Sequence, residues 1–431
     1  MYSPSFLKEY LGQTVTLRGW VHSFRDHKNV GFLILRRDDS FTQCVMDYSE
    51  PLLKKATRSL SRESTVEVTG TVTQCEFSKY DGIEVIVKNI KILSTSASLP
   101  FLLSHRNIPL ETRLDYRVLD LRRPESRLIF EIQTFVEHKM REFFIENGFI
   151  EIHSPKLLGF PSESGSELFR LDYFGRTAYL AQSPQFYKQM AICSGFDKVF
   201  EIGPVFRANP SYTSRHDTEF TSIDCEIAWI NSHHDIMNFE ENLLSYLIEA
   251  VLDRFGEKIF RTFGRELKAP KLPFPRLTFQ EVLQVLQKTD HQAQPTDLSQ
   301  SDEINVCQFI KSRFDHEFVF VTDYPWKSRP FYHMKSEHNP ALTKSFDLLW
   351  NGLEITTGAQ REHRYNILGC QAKEKLRHPQ NVQFFLDFFK YGAPPHGGFG
   401  LGLTRFLMCL LGFKNVREVT FVYRGPTRLV P

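Results

Sequence analysis

FRANPSYTSRHDTEFTSIDCEIAWI, residues 206–230, is the stretch from which the rest of the chain can be read. It follows the apolar run VFEIGPV and returns to strand patterning at Phe220, Ile223, Cys225 and Ile227, with a polar loop between. The pattern predicts two antiparallel strands joined by a long loop. Arg207 closes the first strand, and Arg215 and His216 stand in the loop. Cations on such a rigid base suit a polyphosphate. A solvated hairpin also carries Arg and His, so this segment alone fixes the geometry and leaves the ligand open.

Two further stretches extend the reading. In PPHGGFGLGLTRFLMCLLGF, residues 394–413, glycines at 397, 398, 400 and 402 precede an apolar helix. Alternating Gly and apolar residues let a flat ligand lie against bare backbone, and Arg405, at the helix start, can stack on an aromatic face. In ENGFIEIHSPKLL, residues 146–158, a helix ends at Gly148 and a strand leads to Pro155. Pro155, Arg207 and Arg405, in this order and in three separate segments, resemble the three signature motifs of class II aminoacyl-tRNA synthetases.

The 431 residues are enough for two domains, one of them large. A formal net charge of +2 gives no global basic excess, although a local basic face can still bind RNA. With 39 Phe and 41% hydrophobic residues, the composition is that of a filled core. Seven cysteines without CxxC pairs point to a reducing compartment and no structural zinc. The N-terminal MYSPSFLKEYLGQ has neither an apolar signal core nor an Arg-rich presequence, and no window approaches a membrane span. A cytosolic location with no membrane partner is the expectation.

From Thr14 to Leu93 the runs TVTLRGWVHSF, VGFLILRR, SFTQCVM, STVEVTGTVTQ and IEVIVKNIKIL read as strands, with a helical piece near 51–60. Five strands with a helix between the third and fourth predict an OB-fold barrel over 1–95, a fold that binds single-stranded nucleic acid through aromatics beside cations. Phe32 and Arg36 on one strand and Gln43 on the next fit that role, and Phe32 fits a core position as well. Residues 96–125 mix Pro, Ser and charge and predict a hinge whose Arg113, Arg117, Arg122 and Arg123 can touch RNA or pair with Asp115, Asp120 and Glu125.

The remainder, 126–431, predicts helices near 127–147, 184–195, 233–255, 279–288 and 370–390. Strands are expected near 177–182, 199–206, 220–230, 317–323, 345–356 and 397–402. Strands adjacent in sequence favour an antiparallel sheet flanked by helices, so the expected class is α+β.

Within FDLLWNGLEITTGAQREHR, residues 346–364, Asp347 and Glu354 bracket a Gly-containing turn, so neighbouring strands can aim both carboxylates at one point. Paired hard oxygens suit Mg²⁺ on a triphosphate, and solvent exposure is the ordinary alternative. Arg361 lies one strand-length further on, and Lys188 sits in LAQSPQFYKQM. Converging, they make a double-cation pocket for a small dicarboxylate, with Asp224 placed to hold them; a structural salt-bridge network fits the same spacing.

Across nearly the whole chain the sequence resembles the aspartyl-tRNA synthetases of the archaeal and eukaryotic type, through SPKLLG, YLAQSPQFYKQM, FEIGPVFRA, RHDTEFTSIDCE, RPFY, SFDL, GLEITTGAQR, YGAPPHGGFGLGL and RLVP. The resemblance implies ATP-dependent activation of L-aspartate with Mg²⁺, transfer to the 3′-terminal ribose of tRNA-Asp, and a homodimer formed through the segment of Pro155. It implies that Arg207 grips the α-phosphate, that His216 reaches the β/γ-phosphates, that Arg215 belongs to the ATP site, and that Phe220 and Arg405 sandwich the adenine. Asp347 and Glu354 would hold Mg²⁺. Glu163 and Gln185 would receive the substrate ammonium, and Lys188 and Arg361, ordered by Asp224, its side-chain carboxylate. Arg207 and Arg405 would be the catalytic cations, acting by orientation and electrostatics without a general base. On the barrel, His22, Phe32, Arg36 and Gln43 would meet the anticodon. Relatives that charge asparagine typically carry Glu where Asp224 stands and lack the lysine at 188, which favours aspartate.

The chain also departs from that pattern. Asn209 stands where a glutamate usually helps place ATP, Thr404 where an acid usually precedes the arginine, and Tyr423, Gly425 and Pro426 interrupt the usual terminal string. Weakened ATP binding is expected from Asn209, which keeps only a carbonyl acceptor. His22 stands where strictly discriminating archaeal relatives have Trp and where relatives that also charge tRNA-Asn often have His; relaxed anticodon recognition and drift at a barrel surface are the two readings. The departures leave two alternatives to the housekeeping ligase: a specialised or inhibitor-resistant paralogue, and a non-catalytic RNA-binding protein. Retention of Arg207, Asp347, Glu354, Arg361 and Arg405 weighs against the second.

Overall fold

The β-branched runs near the N-terminus close on themselves. In the computed structural model, which describes residues 4–38, 40–80, 82–161, 167–210, 213–287, 294 and 296–431, strands β1 (Thr14–Asp26), β2 (Val30–Arg37), β3 (Ser40–Asp47), β4 (Thr65–Gln74) and β5 (Ile83–Ser94) form a closed barrel in the order β1-β2-β3-β5-β4. The helix Pro51–Thr57 falls between β3 and β4, as expected. Alternation sends Leu33, Leu35, Cys44, Met46, Val66, Val68 and Val85 inward, and closure leaves no open sheet edge.

Residues 1–109 and 121–124 make one compact unit, and 110–120 with 125–431 make the other. The segment read as a hinge is therefore shared out between the two. In the larger unit, Arg113 and Arg117 both pair with the buried Asp120, and Arg117 donates to the carbonyls of Thr420 and Phe421. Structural pairing accounts for these two arginines.

The larger unit is built on an eight-stranded sheet. Its strands are β6 (Ile150–Glu151), β10 (Lys198–Phe206), β11 (Glu219–Ala228), β12 (Arg276–Thr278), β13 (Phe318–Thr322), β14 (Ser345–Trp350), β15 (Leu353–Gln360) and β16 (His396–Gly402). They lie in the order β12-β13-β14-β15-β16-β11-β10-β6. The six central strands are antiparallel, as expected, while the edge strands β6 and β12 pair in parallel and make the sheet mixed. A separate three-stranded sheet joins β7 (Leu157–Leu158), β9 (Arg176–Leu180) and β8 (Arg170–Tyr173).

One face of the large sheet is the core. Ile223, Cys225, Phe399 and Leu401 are buried there with residues of the helices Pro124–Glu146, His233–Phe263 and Leu403–Leu411. Local chemistry sets the helix ends. Ser232 and Asp235 form a capping box at one start, and Gly264 and Gly412 end two helices at φ 71° and 78°.

The Gly-containing turn read between Asp347 and Glu354 falls at Asn351 and Gly352, both at positive φ, and divides 345–356 into two paired strands. Two expectations change. The helix read over 370–390 is two, Tyr365–Lys375 and Gln383–Phe388, because Pro379 cannot continue the first. A helix at Gln300–Phe314, begun by a Ser299–Asp302 capping box, was not anticipated.

Candidate active site

The opposite face of the sheet floors a cavity of about 270 Å³. Register does the placing. Ser222 and Asp224 on β11 lie opposite Gly402 and Gly400 on β16, and Gly400 lies opposite Thr357 on β15, so all project to the same side. Phe220, two residues earlier on β11, shares that face and also lines the cavity.

At one end stand Arg207, Arg215, His216 and Arg405, all lining the cavity. The Arg207 guanidinium lies 5.5 Å from the centre of the Phe220 ring. Arg405 donates from Nη1 to the Glu354 carbonyl at 3.0 Å, with the Glu354 carboxylate 3.6 Å away. His216 Nδ1 is 2.6 Å from the Thr213 hydroxyl. Burial first, then the charges of Arg405, Arg215 and Arg207, push the His216 imidazole down to about 4, so it is neutral at pH 7.

Asp347 and Glu354 illustrate how backbone irregularity decides chemistry. A bulge at Ile355 shifts the register from Leu348↔Thr356 to Leu349↔Glu354 and turns Glu354 to the face of Asp347 and Thr357. Thr357 donates to the Glu354 carboxylate at 3.1 Å, and both line the cavity. Asp347 is instead spent on Arg329, which meets its two oxygens at 3.1 and 2.5 Å. It is buried and is not among the lining residues. A hard cation bound largely by phosphate and water needs one or two carboxylates, and Glu354 with the Thr357 hydroxyl fits that requirement.

At the other end Lys188 and Arg361 converge, both about 97% buried. Lys188 Nζ meets Asp224 at 3.0 Å and the carbonyls of Phe399 and Cys225 at 3.3 and 3.4 Å. Arg361 is held by Glu226 at 2.9 Å, by the Gly398 carbonyl and by His333 Nε2. Asp224 pairs with Lys188, one of the two cations it was placed to hold. Arg361 has a different carboxylate, Glu226, which also lies 3.5 Å from Lys188. Burial alone would raise the Glu226 carboxyl, but Arg361 and Lys188 hold it below the usual range. Gln185 lines this end and donates to Gln189 at 2.7 Å. Glu163 lies outside the described residues.

The departures at the nucleotide end have spatial counterparts. Thr404 hydrogen-bonds the buried Asp217, whose carboxyl is pushed up to about 6 by burial against the pull of Arg405 and of the Thr404 and Thr420 hydroxyls. An acid therefore stands beside position 404 after all. Tyr423 donates to the His216 carbonyl at 3.3 Å, and Arg424 accepts from the Thr218 amide at 3.0 Å, so the C-terminal segment braces the loop. A Cβ at Gly425 would lie 2.3 Å from the Tyr423 hydroxyl, so these two changes fit each other. Asn209 lines the cavity.

Sequence reasoning missed Glu226, His333, Thr357 and Glu303. Glu226 carried the legible signal: it is two residues beyond Asp224 on one strand and so shares its face.

On the barrel, His22 is the bulged residue of β1, between Val21↔Leu35 and Ser23↔Ile34, and lies edge-on to Phe41 at 4.9 Å. Phe32 is half-buried with its ring 5.9 Å from His27, and Gln43 donates to Glu84 at 3.0 Å. Arg36 does not present itself. It is 4% exposed, binds both Glu63 oxygens at 2.9 and 2.7 Å and lies near Trp20, while Arg122 binds Glu63 as well.

A cavity with Arg207, Arg215 and Arg405 at one end and a buried ion-pair cluster at the other lies on an antiparallel sheet, in a chain that also carries a closed five-stranded barrel. The sequence profile of the tRNA synthetases class II (D, K and N) matches residues 109–423, and that of the OB-fold nucleic acid binding domain matches 15–93. The chain belongs to the class II tRNA synthetases of this group. An aspartate–tRNA(Asp/Asn) ligase of Methanopyrus kandleri is 41% identical over 100% of this chain and 99% of its own. An aspartate–tRNA(Asp) ligase of Pyrococcus horikoshii is 39% identical over 100% and 99%. The structure of asparaginyl-tRNA synthetase from Pyrococcus horikoshii complexed with asparaginyl-adenylate superposes with a TM-score of 0.90 at 32% identity, covering 98% of this chain and 97% of that one. No helix among the described residues is long and apolar enough to cross a membrane.

Proposed function

We propose that this chain activates L-aspartate with ATP and Mg²⁺ and transfers the aspartyl group to tRNA-Asp, with tRNA-Asn as the acceptor to test because His22 stands on the barrel face. The convergence of Lys188 and Arg361 on one end of the cavity carries the reading. Asp224 and Glu226 already pair with these cations and hold them in place, so a side-chain carboxylate is met by an ordered Lys188–Arg361 wall through charge-assisted hydrogen bonds, and a neutral amide makes weaker ones to the same groups.

Arg207, Arg215 and Arg405 receive the triphosphate, and Arg207 and Arg405 stabilise charge developing at the α-phosphate. Phe220 and Arg405 flank the adenine, Gln185 and Glu163 take the ammonium, and Asp224 holds Lys188 in place. Glu354 and Thr357 would hold Mg²⁺, whose charge would offset that of the triphosphate; Asp347 fixes Arg329 and would join only by exchanging that partner. Phe32, Gln43 and His22 meet the anticodon on the barrel, and Arg36 serves there as a buried brace. The sheet edge at β6 and Pro155 is proposed as the homodimer contact, and the cytoplasm as the site of action.

ATP–pyrophosphate exchange on the purified protein tests the reading. Exchange is expected with aspartate and about a hundredfold or more less efficiently with asparagine. Equal exchange with both, or none with aspartate, would remove the proposed substrate. Charging of purified tRNA-Asp and tRNA-Asn then settles the acceptor.

A further inference from the structure

Arg215 lines the cavity from a loop, and a phosphate-binding arginine on a loop needs something to hold it. The structure supplies this from a distant helix. Glu303, in the first turn of Gln300–Phe314 and 6% exposed, pairs through Oε2 with Arg215 Nη2. The same Glu303 oxygen accepts from the Glu354 backbone amide at 3.2 Å. Arg215 Nη2 also donates to the Gly352 carbonyl at 2.9 Å, and its own carbonyl is 3.4 Å from Arg405 Nε. Gly352 is pressed against the same helix: a Cβ there would lie 2.9 Å from Ile304 Cγ1 and 3.0 Å from its Cα. One buried carboxylate thus ties together the loop of Arg215, the β14–β15 turn and the start of the strand that carries Glu354.

The geometry of the tie matters. A guanidinium has five N–H donors, and the bonds seen for Arg215 use the two on Nη2. The three on Nε and Nη1 are left for a ligand of the cavity that Arg215 lines. We infer that Glu303 is a positioning residue for ATP: it anchors one edge of Arg215 so that the other edge is set for the outer phosphates. This role rests on the reading of the cavity as an ATP and aspartate site. It goes beyond that reading by assigning a function to a helix outside the hairpin, the glycine strand and the carboxylate turn. Glu303 touches no substrate and acts through Arg215; an anchored guanidinium loses less freedom when it meets phosphate, and the gain appears as nucleotide affinity.

The experiment is a double-mutant cycle in aspartate-dependent ATP–pyrophosphate exchange, with Glu303→Gln, Arg215→Ala and the pair. Exchange by the unaltered protein is measured first; its absence would sink the activity itself, separately from the role of Glu303. Given exchange, Glu303→Gln is expected to raise the KM for ATP about tenfold, with the KM for aspartate within about twofold. Inhibition by AMP, which lacks the outer phosphates, is expected to stay the same. In the Arg215→Ala background the same substitution is expected to have almost no further effect on the KM for ATP. A general structural role predicts otherwise: KM values for both substrates rise, or the Glu303→Gln effect persists undiminished without Arg215. Either result, or an unchanged KM for ATP, overturns the inference. Should Glu303→Gln be recovered unfolded, Glu303→Asp carries the same cycle. It keeps the charge and retracts it by one methylene, and a smaller rise that vanishes without Arg215 is expected.

Discussion

His216 shows how much of a residue's chemistry comes from its neighbours. A histidine beside arginines reads from sequence as one more cation for phosphate; in the folded protein burial and three guanidiniums keep it neutral, at about 4. Triphosphate would bring negative charge to the same guanidiniums and lift the repulsion that deprotonates the ring. The sign follows directly: the free protein leaves His216 unprotonated above about pH 4, the complex raises its affinity for a proton, and between the two values binding takes a proton up. ATP affinity should therefore strengthen as pH falls from about 7 to 5, by more than the nucleotide's own titration explains. Calorimetry at pH 6 in buffers of different ionisation enthalpy measures that uptake. His216→Gln should reduce it, and equal uptake by the variant and the unaltered protein would show that the proton goes elsewhere. The identity of His216 as a site residue was legible because its loop lies between two patterned strands; its charge state was not, because it depends first on burial and then on Arg405, which comes from the separate segment after the glycine strand.

At the scale of the element, the glycine strand β16 was read correctly as a strand, and its glycines fall into two kinds of surroundings. Gly400 and Gly402 line the cavity, as bare backbone for a ligand should. Gly398 serves packing: a Cβ there would lie 2.0 Å from the Cys225 carbonyl oxygen and 2.4 Å from Glu226 Oε2, the carboxylate that holds Arg361. The two kinds of glycine should respond differently to alanine. Gly398→Ala should cost about 1–3 kcal/mol or more in chemical denaturation, since backbone cannot move aside. Gly402→Ala, whose Cβ meets nothing nearer than 3.9 Å, should keep its stability and raise the KM for ATP. Equal stability loss in both variants would contradict the division. The same contrast explains what stayed hidden. Alternation reveals strands, but bulges reverse it locally, and two of them, at His22 and at Ile355, set the direction of site residues. The helix Gln300–Phe314 escaped notice because its buried face includes Asp302 and Glu303 beside Val306, Cys307 and Ile310, which blurs the apolar period.

The whole molecule contains two compact units, and the β-rich run of the barrel was legible because it gives way near residue 95 to long helices and mixed strands. Individual surface roles within the barrel were less so. Phe32, Arg36 and Gln43 share a plausible spacing, yet Arg36 is enclosed with Glu63 and Arg122, a three-way ion cluster whose members come from positions far apart in sequence. Spacing cannot show which cations are already paired. The anticodon role proposed for the barrel makes a prediction with two arms. Replacing Phe32 and Gln43 together by alanine should leave aspartate-dependent pyrophosphate exchange unchanged, since no RNA enters that step. The KM for tRNA in charging should rise about tenfold to a hundredfold, the range expected for losing a stacked base and its polar contact. Arg36→Ala should act differently. It leaves Glu63 with Arg122 alone in a buried setting, so the barrel's thermal midpoint should fall, and any loss of charging should follow that fall. If Arg36→Ala raised the KM for tRNA at a temperature where the barrel remains folded, while the Phe32 and Gln43 pair did not, the RNA-binding face would lie on the side of the barrel that Arg36 braces, and the roles assigned to these three residues would have to be exchanged.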